Sequence, residues 1–184
     1  KEKYRWLGRK CAEIAEDICR TVSPGDTEQK IRARVCEQLF QWGIIPAVAL
    51  VAVDDRVRKY RHPIAKNGVL DKYAMVVITA RKWGLYIAVT RLVHFGPLPE
   101  DLQAKLQICA EALATFLHYS RPGMRCNEIF ATGQNAYASA GYPDEWKLHH
   151  QGGPIAYKGR ESIAHPENTT LLTEGCAVAW NPSV

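Results

Sequence analysis

A Pro-Gly pair recurs in this sequence, and it recurs with its surroundings. Pro24-Gly25 and Pro122-Gly123 each follow a long amphipathic stretch and precede a second one that stops at a glycine, Gly43 in the first case and Gly141 in the second. When the two pairs are superposed, Cys11-Ala12-Glu13 falls on Cys109-Ala110-Glu111, Ile31 on Ile129 and Ala33 on Ala131. Agreement of lengths, caps and stops at one offset is the mark of an internal duplication. A duplicated chain must build the same supersecondary unit twice, which leaves few architectures open to it.

The units read clearly. Leu7, Cys11, Ile14, Ala15, Ile18, Cys19 and Val22 repeat at helical spacing over residues 2 to 22, with charges on the other face; this predicts an amphipathic helix. Ser23-Pro24-Gly25 stops it. Asp26 and Gln29 read as a reciprocal cap for a second helix that buries Ile31, Val35, Leu39 and Phe40. Residues 47 to 53 are apolar on both faces, which predicts a strand central in its sheet. A polar loop from Asp54 to Lys72 follows, then two strands, 73–80 and 85–95, joined as a hairpin around Trp83-Gly84. Helices over 100–120 and 127–140 open the second half. The expected fold is α+β: two pseudo-symmetric helix–helix–strands halves, about 1–98 and 99–184, around a curved, mainly antiparallel sheet with helices outside. A cleft is expected where the halves meet.

Composition narrows the function. The net charge of +5 comes from Lys and Arg scattered among acids, without the basic stripe and interleaved aromatics that nucleic acid requires. No apolar run approaches the roughly 20 residues of a membrane span, so neither nucleic acid nor membrane is an expected partner. Six cysteines without C-x-x-C spacing, four of them in helix-like patterns, point to buried reduced thiols and a cytoplasmic protein. A first residue other than methionine points to a processed or partial chain.

One segment concentrates chemistry. His149 to Glu161 carries two imidazoles, a carboxamide, a phenol, a guanidinium and a carboxylate within thirteen residues, among three glycines and a proline that preclude an ordinary helix. Proton-transfer and anion-binding groups gathered on irregular backbone make a site candidate. His62, in Tyr60-Arg61-His62-Pro63, follows the second helix of the first half as this segment follows that of the second, so the two could face each other across the cleft. His150 would polarise or orient a carbonyl, with His149 supporting it; Tyr157 would donate to an oxyanion. Arg160, then Arg61, would grip a carboxylate, and Gln151 and Glu161 complete the set of substrate contacts. Arg160 and Glu161 as a simple ion pair is the plainer alternative, and Trp83, Trp146 and Trp180 read as core or interface, Trp146 being closest to the histidines.

Ser23-Pro24-Gly25-Asp26-Thr27-Glu28, Tyr60-Arg61-His62-Pro63, Gly84 with Thr90-Arg91 and Phe95-Gly96, Arg121-Pro122-Gly123, His149-His150-Gln151-Gly152-Gly153 and the closing Gly175 to Pro182 together resemble the pita-bread family of methionine aminopeptidase, prolidase, aminopeptidase P and creatinase. The resemblance covers essentially the whole chain. It implies a single pita-bread domain, the C-terminal part of a longer chain that dimerises, and a peptidase centre in which two Asp, a His and two Glu hold two metal ions that activate water. The matching positions here are Val77, Ala88, His150 and Asn181, and the last Glu would lie beyond Val184. No Asp occurs between Asp71 and Asp101 to offer another register. The expectation is therefore a hydrolase of the Xaa-Pro-peptidase and creatinase type without the dinuclear metal site and with no cofactor. It would act by acid–base chemistry on a small-molecule or peptide substrate bearing an amide or carboxylate, with creatinase implying His62 as proton carrier. The alternatives are a catalytically silent module that binds a peptide or protein, and an active aminopeptidase whose metal is held in some other way.

Overall fold

The computed structural model describes residues 1–184. The chain divides into two compact units, Lys1–Leu98 and Pro99–Val184.

The first unit opens with α1 (Glu2–Thr21) and α2 (Glu28–Gln41), followed by β1 (Ile45–Val53), the short α3 (Asp55–Lys59), β2 (Tyr73–Lys82) and β3 (Leu85–His94). The strands form one antiparallel sheet in the order β1-β2-β3. Thus β2 is central, and β1, expected in the middle from its two apolar faces, is an edge strand. Two-faced apolarity does not report pairing at both edges: Val51, Ala52 and Val53 are buried, whereas Ile45, Ala47 and Val48 are exposed. The proline near its start marks the edge, since Pro46 brings no N–H to a ladder, and the register slips between Pro46 and Val48. The hairpin forms as expected. Trp83 and Gly84 both take positive φ, 55° and 80°, the two-residue turn whose twist matches the strands.

Side chains alternate across this sheet. Val76, Ile78 and Ala80 of β2, with Ile87 and Val89 of β3, pack under Leu7, Cys11, Ile14 and Ile18 of α1. Cys11 belongs to this core, and burial pushes its thiol up to about 12. On the opposite face Leu50, Val77 and Thr90 share one cross-strand row, and Val48, Thr79 and Ala88 the next. Val77 and Ala88 are therefore diagonal neighbours on one face.

The expected Asp26–Gln29 cap gives way to a different arrangement. Thr27 is the N-cap of α2, its hydroxyl accepting from the Lys30 N–H. Asp26 accepts from the Ser23 N–H and the Lys30 ammonium, which hold its carboxyl below the usual range. Gln29 instead reaches across to donate to the Ala65 carbonyl at 3.1 Å. Beside it Glu28 is fully buried; its carboxylate accepts from the Val53 N–H (3.1 Å), the Arg56 Nε (2.8 Å) and the Lys66 N–H (2.6 Å). Arg56 also donates to the Ile64 carbonyl at 2.9 Å. Asp54 closes the base of the same loop by accepting from the N–H groups of Asp71, Lys72 and Tyr73. The segment that carries Arg61 and His62 is thus braced by side-chain hydrogen bonds, centred on the buried carboxylate of Glu28, although it reads as an ordinary polar loop.

The second unit contains α4 (Glu100–Tyr119), α5 (Cys126–Ser139), a 3-10 turn (Glu145–Leu148), β4 (Gly152–Ile155) and β5 (Ala177–Trp180), the last two paired antiparallel. Its helix junction repeats the first unit's bonding. Gly25 N–H donates to the Leu70 carbonyl and Leu70 N–H to the Asp26 carbonyl; Gly123 and Leu172, then Leu172 and Met124, do the same, all between 2.8 and 2.9 Å. Trp180 stacks on Phe116 at 4.6 Å, and its indole N–H donates to the Ser120 hydroxyl. Gly133 of α5 lets the Phe116 ring in: a Cβ there would lie 2.1 Å from the ring.

Two substitutions test this framework by denaturant unfolding. Gly133→Ala drives a methyl into the Phe116 ring and is expected to lower stability by about 2 kcal/mol or more. Glu28→Ala orphans the buried Val53 N–H and removes the acceptor of two part-buried donors, Arg56 Nε and the Lys66 N–H; it should cost about 3 kcal/mol, whereas a Glu28 on a solvated surface would cost almost nothing.

Candidate functional site

The His149–Glu161 segment lies within the second unit. Gly152 and Gly153 have φ of 115° and 141°. A Cβ on Gly152 would sit 2.1 Å from the Ala179 carbonyl oxygen, and one on Gly153 2.3 Å from that of Ser162. Neighbouring backbone thus closes on β4 at a distance that only glycine permits, and this clamp sets the histidines just before it.

Asn181 is the hub of what they meet. Its Oδ1 accepts from Arg160 Nη2 at 2.5 Å. Because guanidinium only donates, the amide orientation is set, and Nδ2 must donate. It does so to the His150 carbonyl (3.0 Å) and faces His149 Nδ1 (3.3 Å). With Nδ2 donating, this contact assigns the acceptor role to His149 Nδ1. The rings of His149 and His150 stack at 4.5 Å, 25° from parallel.

Gln151, expected among the substrate contacts, is fully buried. Its Oε1 accepts from the Tyr137 hydroxyl at 2.8 Å and its Nε2 donates to the His149 carbonyl at 2.7 Å. It braces the histidine backbone. Arg160 bonds two neutral oxygens, Asn181 Oδ1 and the Gly159 carbonyl, while its buried Nε has no partner. Burial pushes its pKa down, as expected for a cation withdrawn from water. Glu161 does not pair with it; the Glu161 carboxylate accepts instead from the N–H groups of Tyr157 (2.8 Å) and Lys158 (3.0 Å), shaping the bend between them. Tyr157 stands 72% exposed on that bend. A hollow of about 400 Å³ opens beside the histidine pair, with Phe130, Trp146, Leu148 and Ile163 among its walls. Trp146 meets Phe130 edge to face at 5.4 Å.

In the first unit His62 is exposed and Arg61 half-buried, on the loop that Glu28, Gln29 and Arg56 brace. Val77 is half-buried and Ala88 exposed on their shared sheet face, where they offer no donor atom. Sequence reading noted Asn181 only as a departure from a carboxylate and missed it as a hub. The signal was Arg160, a basic residue in a segment whose only acid, Glu161, follows it directly.

The tautomer is directly testable. Nitrogen NMR of the imidazoles should find His149 neutral and protonated on Nε2, and Asn181→Ala should release it to a mixture of tautomers. A wild-type His149 protonated on Nδ1 would break the hydrogen-bond assignment.

Solved structures share this fold. A prolidase from Pyrococcus furiosus superposes with a TM-score of 0.83 at 20% identity, covering 97% of this chain and 55% of its own. An Xaa-Pro dipeptidase from Bacillus anthracis gives 0.77 at 18%, covering 92% and 49%. Methionine aminopeptidase from Rickettsia prowazekii gives 0.73 at 17%, covering 95% and 75%. The chain spans about half the length of the first two. No curated protein sequence gives a significant match. No helix is long and apolar enough to cross a membrane. The fold is the pita-bread fold, and with residues 2–184 matching metallopeptidase family M24, the chain belongs to that family.

Proposed function

We propose that this chain is an Xaa-Pro-peptidase- or creatinase-like hydrolase domain that works without the family's dinuclear metal centre, on a small substrate bearing an amide and a carboxylate. The observation that carries the reading is the Arg160–Asn181–His149 chain. Two divalent ions need several anionic oxygens. The residues at the positions assigned by resemblance do not fit them: Val77 and Ala88 are aliphatic, and the one acceptor oxygen of Asn181 takes a hydrogen bond from a guanidinium. The same arrangement supports an anionic ligand, because Arg160 is withdrawn from water with a donor unspent.

In this mechanism His150 takes a proton from water as it adds to the amide carbonyl, and returns it to the leaving nitrogen as the C–N bond breaks. His149, neutral, stacks against the imidazolium so formed. Tyr157 donates to the carbonyl oxygen as it gains charge. Arg160 binds the substrate carboxylate, and Glu161 shapes the bend that presents Tyr157. The neighbours named prolidase and Xaa-Pro dipeptidase direct the choice of substrates to peptide bonds. Dimeric assembly, implied by the resemblance, and a cytoplasmic location, read from the reduced cysteines, belong to the same proposal.

Turnover of a panel of Xaa-Pro dipeptides and N-acyl amino acids tests it. His150→Ala should lower kcat about 100-fold or more. Arg160→Gln should raise KM for carboxylate substrates and leave their amidated counterparts unchanged. A His150 variant as active as the parent would overturn the acid–base assignment. A chain that binds these peptides and cleaves none would be the silent binding module.

A further inference from the structure

We infer that the hollow beside His149 and His150 receives a bulky apolar side chain of the substrate, an aromatic or large aliphatic group adjoining the amide that is cut. The inference rests on the hydrolase reading and adds the class of side chain it accepts. At about 400 Å³ the hollow lies in the size range of small-molecule sites. Phe130 of α5 and Trp146 of the 3-10 turn, set edge to face, give it aromatic walls. Leu148 and Ile163 line it too, yet stand 63% and 46% exposed. An exposed leucine alone needs no explanation; two aliphatic side chains left in water around a concavity with aromatic walls form a surface that gains by covering.

The polar atoms of the hollow narrow the occupant further. Lys147, the one ammonium on its lining, already pairs with Asp144 at 2.5 Å and lies over the Trp146 ring, so it is not an open anchor for a second carboxylate. A glycine- or alanine-sized group would leave the aromatic walls wet. His150 lines the same hollow, so a side chain seated there holds its neighbouring amide beside the proposed proton carrier. This makes Leu148 and Ile163 specificity-determining residues, both exposed enough to be exchanged without disturbing the core.

Binding of two neutral probes, N-acetylphenylalaninamide and N-acetylglycinamide, to the full chain tests this, followed by NMR of the His149 and His150 ring signals. The phenylalanine probe should shift both rings saturably and bind at least about 10-fold more tightly than the glycine probe. The double variant Leu148→Ser with Ile163→Ser should lose about that factor while its dispersed spectrum shows it folded. Equal binding of the two probes, or selectivity unchanged in the double variant, would overturn the inference. The readout is binding, and it is independent of turnover. Turnover without selective binding sinks this inference alone. Selective binding by a chain that hydrolyses nothing sinks the hydrolase reading and leaves the hollow as the ligand site of a binding module.

Discussion

The amide of Asn181 faces two ways, and each direction constrains the other. Its oxygen accepts from the buried guanidinium of Arg160, so its nitrogen must donate to the His150 carbonyl and His149 Nδ1. A carboxylate at this position would meet Arg160 as an ion pair and could not donate to His149 at all. An amide instead gives the guanidinium a neutral acceptor and the His150 carbonyl a donor, so one side chain ties Arg160 to the histidine segment.

The rest of the fold holds this arrangement in place. Gly152 and Gly153 let the backbones around Ala179 and Ser162 approach β4 more closely than any Cβ allows, and Asn181 follows directly from β5, its N–H donating to the Gln151 carbonyl at 3.0 Å. Gln151 and Tyr137 continue the bracing into the buried side of the second unit. In the first unit the corresponding task falls to Glu28, whose carboxylate gathers donors from the end of β1, from α3 and from the loop beyond His62. In both units a buried polar group with its partners satisfied holds a histidine-bearing segment that has no regular structure of its own.

Local signals in the sequence were read correctly where the physics is local. Helical spacing from Leu7 to Val22, the stops at Pro24-Gly25 and Pro122-Gly123, and the turn at Trp83-Gly84 each depend on neighbours a few residues away. What failed depended on distant partners. Gln29 was assigned to its own helix cap because its tertiary acceptor, the Ala65 carbonyl, leaves no mark at short range. The placement of β1 failed because apolar faces carry no information about which edge is paired. The candidate segment was legible as a concentration of functional groups, but the division of labour within it was not: Gln151 and Glu161 turned to the protein's own backbone and Asn181 entered from 30 residues downstream of Gln151.

The central claim is that a neutral amide bound to a guanidinium stands where a dinuclear centre would need a carboxylate. Metal content of the purified chain, measured after dialysis against manganese, cobalt or zinc and then against metal-free buffer, tests it most directly. The account expects fewer than two equivalents of divalent ion per chain, with hydrolysis unchanged by a chelator. Two equivalents retained, with activity lost on chelation and restored by the metal, would contradict it.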